Sequence, residues 1–80
     1  GPMETRLEEF KERLLRPFVE SATSAELIRE LKWAATEATA LAWCTAYPIL
    51  VLPLLLEEKV HATLKRWHKQ EQMRRWCAAW

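Results

Sequence analysis

The 80-residue chain contains no Asp and no Asn, and its single Gly is residue 1. These three residue types make tight turns and tolerate positive φ. Their scarcity argues against hairpins and multi-stranded sheets, which need several such turns. It also leaves no phosphate-cradling glycine loop and no nucleophile elbow. The two cysteines, Cys44 and Cys77, stand far apart and form no CxxC pair. They read as reduced thiols of an intracellular protein, with geometry left to decide whether they pair. No basic stretch leading into an apolar core opens the chain, so a secretory leader is not expected. The expected setting is intracellular, either cytoplasmic or membrane-associated.

Gly1-Pro2 resembles the scar left by a tag-cleaving protease and is set aside from fold reasoning, so the native chain is read as starting at Met3. Residues 3–80 then make one domain at most. A chain this short buries a small share of its surface, so it leans on a disulfide, a metal or a partner for stability.

What the chain does have is Ala, Leu, Glu, Lys and Arg, the strong helix formers. The expected fold class is all-α. It comprises one short helix and two long antiparallel helices joined at an apolar, proline-bounded bend. Leu7, Phe10, Leu14 and Phe18 recur on one helical face. Thr5 with Glu8 fits a capping box, and Glu9–Arg13 and Glu12–Arg16 are favourable i,i+4 pairs. This spacing predicts a first helix from Glu4 to Arg16, ended or kinked by Pro17. The stretch Glu20–Ser24 is the polar linker. Thr23 with Glu26 predicts a second capping box and a helix from Ser24 to Tyr47, about 36 Å long. Ala34, Ala38, Ala42 and Ala46 form a small-residue ridge that lets another helix approach closely. Leu27, Ile28, Leu31 and Leu41 flank it. Pro53 suits a first helical turn, so the third helix is expected to start there, with Glu57 and Glu58 near its positive end. Leu56, Val60, Leu64 and Trp67 form its first apolar stripe. Met73, Trp76, Cys77 and Trp80 form a second one on roughly the opposite side. That second stripe reads as a separate contact surface.

The longest charge-free run, Ala38–Leu56, is 19 residues long and is bounded by Glu37 and Glu57. Pro48 and Pro53 divide it. Residues 47–56 read as an apolar connection, where a connection is normally polar and exposed. Such a patch usually marks an interface. The run is also long enough for a spanning helix, with the basic flank after it cytoplasmic. Charge is segregated: residues 1–58 carry a net of −4 and residues 59–80 a net of +5. The segregation suits pairing with another copy or with an anionic surface.

Chemistry-bearing motifs are sparse. His61 and His68 are seven apart and Cys77 follows nine later, which is poor spacing for metal ligands on one helix. No cofactor and no small-molecule substrate are expected, and three helices rarely form the preorganised concave site that catalysis needs. The chain is read as not an enzyme. Cys77-Ala78-Ala79-Trp80 formally fits a C-a-a-X pattern with an atypical last residue. Five tryptophans is a high share for this length, and Trp is enriched at binding hot spots and membrane interfaces.

The leading expectation is a small helical protein–protein interaction module that self-associates or serves as a subunit or adaptor. Its expected contacts are Tyr47, Ile49, Leu50, Val51, Leu52, Leu54 and Leu55, with Met73, Trp76 and Trp80 as a second surface. The alternative is a membrane-associated protein inserting 38–56. A third reading is nucleic-acid binding through Lys65, Arg66, Lys69, Arg74 and Arg75, interleaved with tryptophans that can stack on bases.

Overall fold

The computed structural model describes residues 2–78, and over them the chain forms three helices and no strand. The all-α expectation therefore holds, but the helix boundaries fall differently. Helix α1 runs from Pro2 to Ser21 and contains Pro17. The expected stop at Pro17 is overturned. Proline removes the amide that would bond to the carbonyl of Arg13, but both residues are exposed, so water can satisfy that carbonyl. Beyond it, Phe18 and Val19 pack against the core and hold the last turn in place. Ser21 Oγ closes the end by donating to the carbonyl of Phe18 at 3.1 Å. Thr5 sits inside α1 rather than at its cap. The described ion pair on this helix joins Lys11 Nζ to Glu8 at 2.8 Å, an i,i+3 contact.

Helix α2 runs from Ala25 to Trp43. Its cap is Ser24 rather than Thr23: Ser24 has extended backbone and its side chain accepts from the Leu27 amide at 3.1 Å. The helix stops at Trp43, four residues before the expected end, with Cys44 as its C-cap. The turn that follows is built without glycine. Cys44 N–H donates to the Leu41 carbonyl and Thr45 N–H to the Ala42 carbonyl, both at 3.0 Å. The Thr45 hydroxyl adds a second donor to Ala42 at 2.7 Å. Among the described residues no φ is positive, which matches a chain that has almost none of the residues suited to one.

Helix α3 begins at Pro48 and runs to Ala78, 31 residues and about 46 Å. The expected bend at 48–52 is therefore overturned, because those residues are the opening turns of a helix. Pro48 takes the first helical position, where its missing amide has no intrahelical partner to lose. The carbonyl of Tyr47 accepts from the amides of Leu50 and Val51 at 3.1 and 3.2 Å. Pro53 lies inside the helix and costs one hydrogen bond, to the carbonyl of Ile49. Leu52 and Leu56 on either side are almost fully buried, and burying each contributes about 1.5–3 kcal/mol. Together they outweigh a helix-interior proline at about 3 kcal/mol. Glu57 and Glu58 consequently lie well past the first turn.

The core is one cluster. Leu7 and Leu15 come from α1. Leu27, Leu31, Ala35, Ala38 and Ala42 come from α2, and Leu52, Leu56, Val60 and Trp67 from α3. The closest pairing is α2 against α3. Three members of the alanine ridge, Ala34, Ala38 and Ala42, are buried in it, while Ala46 is exposed in the turn. Leu41, expected beside Leu27, Ile28 and Leu31 on the flank of that ridge, is exposed. Lys59 Nζ lies 3.7 Å from Glu37 across the α2–α3 pair. Both side chains are partly exposed, so the pair adds at most about 1 kcal/mol. The molecule measures 54 × 21 × 14 Å. Much of that length is α3, which outruns α2 by twelve residues. Cys44 and Cys77, both exposed and free, therefore sit about 45 Å apart along α3 and cannot form a disulfide within one chain.

Candidate functional site

A helix beginning at Pro48 divides the expected contact residues by side. Leu52 is 0% exposed and Leu56 2%. Both belong to the chain's own core, so Leu52 is removed from the surface set. Ile49, Val51 and Leu55 are half-buried against that core. Tyr47, Leu50 and Leu54 face solvent, at 68%, 75% and 73% exposure. Leu50 and Leu54 stand one turn apart on the same side of α3. His61 continues their line, about 20° from Leu50 on the helix wheel. Its ring packs edge-on to Phe18 of α1, with ring centres 6.4 Å apart and planes at 82°. The leucine stripe thus borders α1. On that border Arg6, Glu9, Phe10 and Arg13 of α1 line a groove of about 230 Å³ with Ile49 of α3.

The end of the molecule around the α2–α3 turn is more apolar than these residues alone suggest. Leu41, Trp43 and Met3 are also exposed, each by a little under half. Sequence reasoning missed all three as surface candidates. A 3.6-residue period carried back from Leu56 through Leu52 would have aligned the core face of α3 and exposed Leu50 and Leu54 as the outward pair.

The C-terminal candidates lie on the part of α3 that α2 does not cover. Met73 and Trp76 are largely exposed, and no residue from His68 to Ala78 is buried. Trp80 lies outside the described residues. Trp67 instead belongs to the core. The five expected anion-binding residues do not form one patch. Lys65 and Lys69 are exposed one turn apart. Arg66 lines a groove with Arg29, Glu30 and Trp33 of α2. Glu30 Oε2 in that groove is shielded from solvent and has no hydrogen-bond partner among the described residues. Arg74 lies 3.5 Å from Glu71. Arg75, about 100° round the helix from Arg74, lines a different groove with Thr23, Ser24, Trp67 and His68. His61 and His68 are both exposed, and among the described residues no three His, Cys, Asp or Glu side chains gather as metal ligands.

The charge-free run 38–56 is divided between the end of α2, the turn and the start of α3. Among the described residues no helix is long and apolar enough to cross a membrane. No family model matches the chain, and comparison with curated proteins and with solved structures gave no match.

Proposed function

We propose that this chain is a small helical docking module, working by self-association or as a subunit or adaptor. Its main contact is the stripe of Tyr47, Leu50 and Leu54, and Met73 with Trp76 forms a second. The role is binding, with no catalytic step. The observation that carries this reading is the exposure of Leu50 and Leu54, each by nearly three-quarters, on a stretch of helix whose other side buries Leu52 and Leu56. Burying a leucine against a partner contributes about 1.5–3 kcal/mol before the costs of association. The stripe is also continuous with half-buried Ile49, Val51 and Leu55, which widen the apolar surface.

The test is affinity capture with the wild-type chain beside a Leu50→Glu/Leu54→Glu variant. Both positions face solvent, so the variant keeps its helical circular dichroism. A protein retained by the wild type and lost by the variant supports the reading. Equal retention by the two overturns it. The uncharged end formed by Leu41, Trp43, Tyr47 and Leu50 favours a second reading, in which it dips into a membrane interface where Trp and Tyr are at home. Co-flotation with phosphatidylcholine vesicles, abolished by Trp43→Glu, would support that reading instead.

A further inference from the structure

We draw no further inference here: the strongest candidate, the groove of about 300 Å³ between α2 and α3 lined by Arg29, Glu30, Trp33 and Arg66, carries nothing, because the Glu30 oxygen left without a donor among the described residues is itself shielded from whatever enters the groove, and the mixed charges around it select no ligand.

Discussion

From Pro48 to Trp67, α3 buries a side chain on nearly every turn: Leu52, Leu56, Val60, Thr63 and Trp67. From His68 to Ala78 it buries none. One continuous helix is thus held in two ways. The first part carries Pro53 and the β-branched Val51, Val60 and Thr63, poor helix formers all, and is held by packing. The second part, apart from His68, Trp76 and Cys77, is Lys, Gln, Glu, Met, Arg and Ala, which favour helix without a neighbour. An isolated stretch of eleven residues is nevertheless marginal in water. The helix beyond Trp67 therefore opens at lower free energy than the helix before it.

Substitutions can break or sharpen that contrast. The largest effect is expected from Leu52→Ala, which empties a fully buried site in the packed part. It should cost about 2–5 kcal/mol in urea unfolding, a large share of the stability of a domain this size. A cost under about 1 kcal/mol would mean that packing does not hold the first part. Ala38→Leu tests the facing side of the contact, where a fully buried alanine lets α2 approach α3. Overpacking there should cost about 1–3 kcal/mol, and a stabilised variant would mean that the alanine ridge is not a close contact. Ser24→Ala acts at the level where the two parts divide, since Ser24 lines one groove with Trp67 and Arg75. Loss of its cap to the Leu27 amide should cost about 1 kcal/mol, read as a lower melting temperature. Met73→Ser lies in the uncovered part and should leave stability within about 0.5 kcal/mol. A larger loss would show that this part of α3 is packed in solution.

The number and type of the helices could be read from the sequence, because turn-forming residues were absent and helix formers abundant. The boundaries could not, and the largest errors fell at prolines. Pro17 reads as a stop and Pro53 as a helix start because proline lacks an amide. What that reading omits is whether neighbours repay the lost bond, and Phe18, Val19, Leu52 and Leu56 do. Misplacing the start of α3 also merged three kinds of residue into one apolar bend. Leu52 belongs to the core, Ile49, Val51 and Leu55 to its edge, and Tyr47, Leu50 and Leu54 to the surface. The uncovered basic end was legible as a separate region, since Met73 and Trp76 break the period of Val60 and Trp67. That its charges point in several directions was not, because Arg66 and Arg75 line grooves with neighbouring elements that only the tertiary fold supplies.

The placement of the two thiols has a consequence for how the protein ages in air. Cys44 is exposed in the turn at one end of α3, and Cys77 is exposed near the other. A rod with one oxidisable group at each end is, in the language of polymer chemistry, a bifunctional monomer. Each intermolecular disulfide leaves two unreacted ends, so oxidation extends strings of molecules rather than closing pairs. Replacing either cysteine by serine turns the same molecule into a chain stopper, and covalent growth then ends at two.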